Sequence, residues 1–186
     1  MNRTGDTDED IVRRVQGGDK DAFGVLVERY EEKLGRYGRK FLAGEDDRKD
    51  LIQDIFLKAY VNIREFDSSR RFSPWIYRIA HNEFVNALKK KKSILVSFFD
   101  FDVLFPHAVT DNSFTDDLDK RELSEALESC LSKLDPKYRE PIVLYYYEEL
   151  DYRQIADVLE IPVSTVGVRL SRGKSLLKKY YQELPT

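Results

Sequence analysis

The sequence is short of most of what metal, redox and membrane chemistry require. Its one cysteine, Cys130, cannot form an internal disulfide, and its two histidines, His81 and His107, cannot complete a zinc site with that cysteine without unusual carboxylate ligation. A reducing, cytoplasmic setting with no metal and no cofactor is the resulting expectation. No window approaches the ~18 consecutive apolar residues of a membrane helix. The opening MNRTGDTDED also lacks the apolar core of a signal peptide, so no membrane insertion is expected. Charge of one sign is missing as well: 31 Lys+Arg stand against 34 Asp+Glu, a formal net charge of −3, which as a total argues against a surface that coats nucleic acid nonspecifically. What is present is 41% hydrophobic and 12% aromatic content in 186 residues, enough to build one ordinary core or two small ones.

The near-neutral total hides a segregation. Residues 1–92 carry 20 basic and 17 acidic side chains, residues 93–120 carry 1 and 6, and residues 121–186 carry 10 and 11. Arg169, Arg172, Lys174, Lys178 and Lys179 crowd into the last 24 residues against Glu183 alone. Two basic segments around an acidic connector suit a bipartite nucleic-acid binder; solvated helix faces and a polar tether would leave the same pattern.

Apolar spacing predicts helices on both sides of the connector. Phe23, Leu26, Val27, Tyr30, Leu34, Tyr37 and Phe41 recur at three- and four-residue intervals after an Asp19 cap, with Ala43-Gly44 as the stop. A second helix is predicted from Asp46 or Asp47 to Val61 with Leu51, Ile55 and Ala59 inward. A third is predicted from Ser73-Pro74 to Lys92, preceded by a polar loop at 66–72. Periodicity fails from Ser93 to Asp119 and resumes near Lys120, where Leu123, Ala126, Leu127, Cys130, Leu131 and Leu134 make a stripe. Asp135-Pro136 then opens a helix containing Ile142, Val143, Tyr146 and Tyr147. Asp151 with Gln154 forms a capping box for a helix through Leu159, and a final helix runs from Val163 to Tyr181. No strand alternation or hairpin signal appears. The expected fold is all-α: two small helical domains, 8–92 and 121–182, joined by an irregular acidic linker at 93–120.

The last two helices read as a helix-turn-helix. Ile155, Ala156 and Leu159 face inward from the first, and Val166, Leu170, Gly173 and Leu177 from the second. Ser164, Thr165, Val168, Ser171, Arg172, Ser175 and Lys179 form the outer face, with Arg169 on its border. Such a face can enter a major groove, where Arg matches guanine edges and hydroxyls match phosphates. An ordinary helical hairpin with a solvated basic face is the competing description.

Two further segments sharpen the reading. Asp50-Leu51-Ile52-Gln53-Asp54-Ile55-Phe56-Leu57-Lys58-Ala59-Tyr60 and Phe72-Ser73-Pro74-Trp75-Ile76-Tyr77-Arg78-Ile79-Ala80-His81-Asn82, followed by the late helix-turn-helix, resemble a sigma-70 family RNA polymerase sigma factor of the extracytoplasmic function (ECF) group. That group keeps only the second and fourth conserved regions. The resemblance implies a non-enzymatic subunit that binds core RNA polymerase and promoter DNA, with an anti-sigma factor as an expected further partner. It implies that Asp50, Gln53, Asp54, Leu57 and Lys58, which share one helical face, dock on the polymerase clamp. It implies that Trp75, Arg78, Asn82 and Lys89 read the minus 10 element, with Arg70 and Arg71 holding phosphates beside a loop that captures a flipped base. Trp75 and Tyr77 would equally serve as core aromatics. Ser164, Thr165, Gly167, Val168, Arg169 and Arg172 match the family's minus 35 positions. Asp100, Asp102, Asp111, Asp116, Asp117 and Asp119 occupy the segment that threads toward the active site and RNA exit path.

Two positions depart from the family pattern: Glu160 stands in the turn where glycine is usual, and Gly167 stands where a polar or charged residue is common. A stand-alone helix-turn-helix regulator remains the alternative function, although it would have no use for the 50–60 and 72–82 segments. A metal enzyme built on Glu45, Asp46, Asp47, Asp50 and Asp54 has the carboxylates but no accompanying histidine, nucleophile or glycine-rich phosphate loop.

Overall fold

The computed structural model describes residues 5–39, 41–42, 44–95 and 126–184, with backbone alone over 91–95. Residues 96–125, including most of the acidic connector, Leu123 and the six linker aspartates named above, lie outside the described residues. The chain divides into two compact units, one within 1–98 and the other within 99–186. Helices account for the regular structure of the described residues, and none of these helices is long and apolar enough to cross a membrane.

In the first unit α1 spans Asp8–Gln16, α2 Phe23–Gly38, α3 Glu45–Asn62 and α4 Phe72–Leu95, with short 3-10 turns at Lys20–Ala22 and Ile63–Glu65. Spacing alone did not single out α1, whose apolar pattern is only Ile11, Val12 and Val15. A Thr7–Asp10 capping box nevertheless starts it, and those three residues are buried. Asp19 caps the 3-10 turn rather than α2 itself, accepting from the Ala22 N–H. α2 stops at Gly38 instead of Ala43-Gly44, because the Phe41 and Leu42 N–H groups both turn back onto the Gly38 carbonyl. That turn stacks Phe41 on Phe84 at 5.3 Å. α3 buries Ile55 and Ala59 as expected, with Ile52 and Phe56 beside them, while Leu51 is only half-buried. α4 begins one residue before Ser73 and continues to Leu95, so the first residues assigned to the linker, Ser93 to Leu95, are helical.

The core of this unit is aromatic. Tyr37 meets Tyr77 edge-on at 5.3 Å and Phe84 at 6.0 Å, and Tyr30 meets Phe72 at 5.5 Å. Tyr77 and Phe84 have no exposed surface, which places Tyr77 in the core. Such edge-to-face pairs add about 0.5–1.5 kcal/mol each beyond the area they bury. The Tyr30 hydroxyl donates to Asp8, and burial, reinforced by that bond, pushes its pKa well above the ordinary phenol value.

In the second unit, helical residues 126–132 form α5, followed by α6 (Pro136–Tyr146), α7 (Tyr152–Leu159) and α8 (Val163–Gln182). Asp135 caps α6 through the Lys137 N–H, with Pro136 at its first position. Cys130 is fully buried and behaves as a small hydrophobe, and Leu131, Leu134, Ile142, Val143 and Leu144 are buried too. Tyr146 and Tyr147, at the end of α6, are each 53% exposed, and the buried face of that helix is made by Ile142, Val143 and Leu144. Leu127 is exposed at the edge of its stripe. Gly173 lets α8 lie close on α6: a Cβ there would sit 2.6 Å from Ile142 Cδ1 and 3.2 Å from the Tyr138 carbonyl oxygen.

Candidate nucleic-acid interface

The helix-turn-helix is assembled by local signals. Asp151 accepts from the Arg153 and Gln154 N–H groups at 2.8 and 2.9 Å, while the Asp151 N–H donates to Gln154 Oε1 at 2.9 Å. This is the expected capping box. α7 ends at Glu160, whose φ of 53° and ψ of 43° are left-handed, and the Ile161 N–H closes the turn on the Ala156 carbonyl at 3.2 Å. The turn thus takes the glycine geometry with a glutamate in it. A second left-handed residue, Glu149 at φ 53°, shapes the approach to α7.

α8 starts from Pro162, not from a hydroxyl cap. The Thr165 and Val166 N–H groups bond the Pro162 carbonyl, and no side chain caps the helix. Val166, Leu170 and Gly173 are buried, and Leu177 is half-buried. Ser164, Val168, Ser171, Arg172, Ser175 and Lys179 are exposed, whereas Thr165 and Arg169 are half-buried. Ser175 spends its hydroxyl proton on the Ser171 carbonyl at 3.1 Å, which makes it a poorer partner than its position suggests. Gly167 leaves a shallow spot bordered by Tyr152, whose ring lies 3.7 Å from where a Cβ would be. Val168 beside it is 50% exposed.

In the first unit, Asp50, Gln53, Asp54, Leu57 and Lys58 are all exposed along α3. Leu57 is 62% exposed and Val61, one turn further on, 74%. Val61 was not singled out from the sequence, although its i+4 relation to Leu57 would have placed it on the same face. Lys58 is less available than expected, since its ammonium pairs with Glu83 of α4 at 2.6 Å. The pair depends on a residue 25 positions away, which no local pattern could show.

α4 carries Arg78, Asn82 and Lys89 on its exposed side. Trp75 is half-buried, its ring 4.9 Å from Phe66 and 5.5 Å from Phe72, so it belongs to an aromatic cluster under the preceding loop rather than standing clear of the helix. In that loop the Asp67 carboxylate accepts the Ser69 N–H at 3.0 Å, and the bonds from Ser69 hold its pKa below the ordinary aspartate value. The Arg70 N–H returns to the Asp67 carbonyl at 3.0 Å, and the Arg70 and Arg71 side chains are exposed. The carboxylates at the start of α3 do not converge: Glu45 pairs with Lys49 at 2.6 Å, and no group of three metal-ligating side chains gathers among the described residues.

Comparison with known proteins covers both units. The family model "Sigma-70 region 2" matches residues 26–94 and "Sigma-70, region 4" matches residues 124–177. The ECF RNA polymerase sigma factor SigW of Bacillus subtilis is 35% identical over 181 residues, 93% of this chain and 96% of that protein. The ECF RNA polymerase sigma-E factor of Haemophilus influenzae is 30% identical over 184 residues, 96% of this chain and 97% of that protein. Among solved structures, CnrH in complex with the cytosolic domain of CnrY superposes with a TM-score of 0.69 at 26% identity, covering 97% of this chain and all of that one (100%). The sigma factor RpoE of Bartonella quintana, in complex with the anti-sigma factor NepR, has a TM-score of 0.66 at 21% identity over 86% of this chain and 96% of that one, a likeness of fold.

Proposed function

Because this chain belongs to the ECF group of the sigma-70 family of RNA polymerase sigma factors, we propose that it is a promoter-specificity subunit whose two units divide the work of initiation. Core RNA polymerase supplies the catalysis, and this chain supplies the choice of start site. The observation that carries the division of labour is that each unit offers its own outward recognition helix, α4 in the first and α8 in the second, each bearing exposed basic side chains.

The roles follow from side-chain chemistry. Arg172, with Arg169 at the border, offers guanidinium forks that fit guanine edges or phosphates, and Ser164 and Thr165 lie in the first turn where hydroxyls and free N–H groups meet a phosphate. Val168 can make only apolar contact, which in the major groove means a thymine methyl. Asn82 can read a base edge in an opened strand, while Arg78, Lys89, Arg70 and Arg71 hold its backbone. Trp75 acts from the cluster beneath the loop. The α3 face combines Asp50, Gln53 and Asp54 with apolar Leu57 and Val61, a composition suited to a protein partner rather than to DNA. Core polymerase is that partner, at the place where the charge of Lys58 is already met by Glu83. We assign the segments 8–92, 93–120 and 121–182 to region 2, the linker and region 4. We propose an anti-sigma factor as a further partner, in keeping with membership of the ECF group.

Run-off transcription with core polymerase on genomic fragments, with the starts mapped, tests the proposal. Arg172→Ala should weaken dependence on the upstream element, and Asn82→Ala should weaken dependence on the element near the start. Equal loss at both elements would refute the residue assignments. A tight DNA complex formed without polymerase, and no polymerase-dependent transcript, would replace the proposal with a stand-alone regulator.

A further inference from the structure

We propose that Gln16 and Glu9, both on α1, are positioning residues for promoter opening: they fix the two ends of the 67–71 loop and thereby set its selectivity for the base it takes from the strand. The inference rests on the reading of that loop given above.

The Gln16 side-chain amide donates to the Ile63 carbonyl at 2.8 Å and to the Phe66 carbonyl at 2.7 Å. The Ile63 carbonyl opens the 3-10 turn that follows α3 and also accepts the Phe66 N–H at 3.3 Å, while the Phe66 carbonyl lies just past the end of that turn; the amide has two protons, one for each. Seven residues earlier on α1, the Glu9 carboxylate accepts the Phe72 N–H at 2.8 Å. Phe72 is the first residue of α4, so its N–H is one of the orphan donors of that helix, and a carboxylate there also meets the positive end of the helix dipole. Between the two lies Arg13, whose guanidinium reaches the Ser68 carbonyl at 3.4 Å. Residues 9, 13 and 16 fall on one face of α1. One helix therefore fastens the chain where it enters the loop, where it leaves, and once within it.

The loop so held also carries the Asp67–Ser69 turn, and the residues at its two ends, Phe66 and Phe72, pack on each other and on Trp75. A pocket that distinguishes one base from another needs donors and walls held to within about half an ångström. Loop residues alone cannot supply that, because a short polar segment such as Asp67-Ser68-Ser69-Arg70-Arg71 has no apolar side chain to build a core. Rigidity has to come from anchors at its ends, and α1 provides them from 47 to 63 positions away in sequence.

The test uses the full chain with core polymerase, a mapped promoter, and templates altered singly at each base of the element near the start. For Gln16→Leu and Glu9→Ala, the preference for the parent base over its substitutes should shrink about fivefold at one position, the worth of one hydrogen bond. Affinity for polymerase, read by fluorescence anisotropy, should change by less than about twofold. Glu9→Gln keeps an acceptor for the Phe72 N–H and should restore most of the preference. A merely structural role would lower transcription from every template by one factor, or weaken polymerase binding in parallel, and either result overturns the inference. Should Gln16→Leu fail to fold, Glu9→Ala against Glu9→Gln carries the test by itself. Absence of any promoter-specific start with the parent chain would instead overturn the proposed function, and this inference with it.

Discussion

Replacing Glu160 by glycine should stabilise the second unit, even though it removes every side-chain atom at the position. Glu160 sits at φ 53° and ψ 43° at the end of α7, in the left-handed region where a Cβ crowds the following carbonyl. For a residue with a Cβ that conformation costs about 1–2 kcal/mol. Glycine returns about 0.5–1 kcal/mol of this through its greater freedom in the unfolded chain, which leaves a net gain of about 0.5–1 kcal/mol. The side chain is exposed, so no buried contact is lost in exchange. Hydrogen exchange on the full chain reads the effect: the slowest amides of α6 to α8, which report opening of that unit, should slow about two- to fivefold, while those of α2 to α4 serve as the internal control. Glu160→Ala keeps the Cβ and should stay within about 0.5 kcal/mol of the parent. Unchanged or faster exchange in Glu160→Gly would show that the left-handed turn costs nothing here, and would undercut the account of how this helix-turn-helix is held.

Gly38→Ala should destabilise the first unit by about 1–3 kcal/mol in urea unfolding. The new methyl would run into the Phe84 ring, with Cε1 at 2.8 Å, and that ring is fully buried against Phe41 and Tyr37. Leu57→Asp and Val61→Asp should each weaken polymerase binding about tenfold or more, as the loss of a central apolar contact does. Their melting temperatures should stay unchanged, because both side chains are already in water; a large fall in stability instead would mean that they serve the fold. Replacing thymines of the upstream element one at a time by deoxyuridine, which lacks only the methyl, should reduce run-off transcription about fourfold at a single position. That sensitivity should shrink in Val168→Ala, and a loss equal in both proteins would remove Val168 from the reading surface.

Local chemistry made much of this protein legible in advance. The caps at Asp135 and Asp151, the proline that opens α6, the short α7 and the basic α8 each depend on residues within four positions of one another, and the structure keeps them. The unusual glutamate in the turn stood out against the family pattern, where glycine is usual. One expectation failed where the deciding contact was distant, and two further side chains have partners that no local pattern shows. The inward face of α3 uses Ile52 and Phe56 rather than Leu51, because that helix packs with Phe23 and its neighbours on α2. Trp75 is drawn into the Phe66 and Phe72 cluster, and Lys58 is claimed by Glu83.

The sequence by itself determined that this is a helical protein with a helix-turn-helix at its end, since helix periodicity and capping are settled by neighbours a few residues apart. Only the tertiary structure decided which side chains on those helices remain available to a partner, and that a short, weakly patterned α1 braces the loop ahead of α4. Those outcomes turn on hydrogen bonds and ring contacts between residues tens of positions apart, as between Gln16 and Phe66 at a separation of 50. Such contacts become defined only once packing brings the helices together.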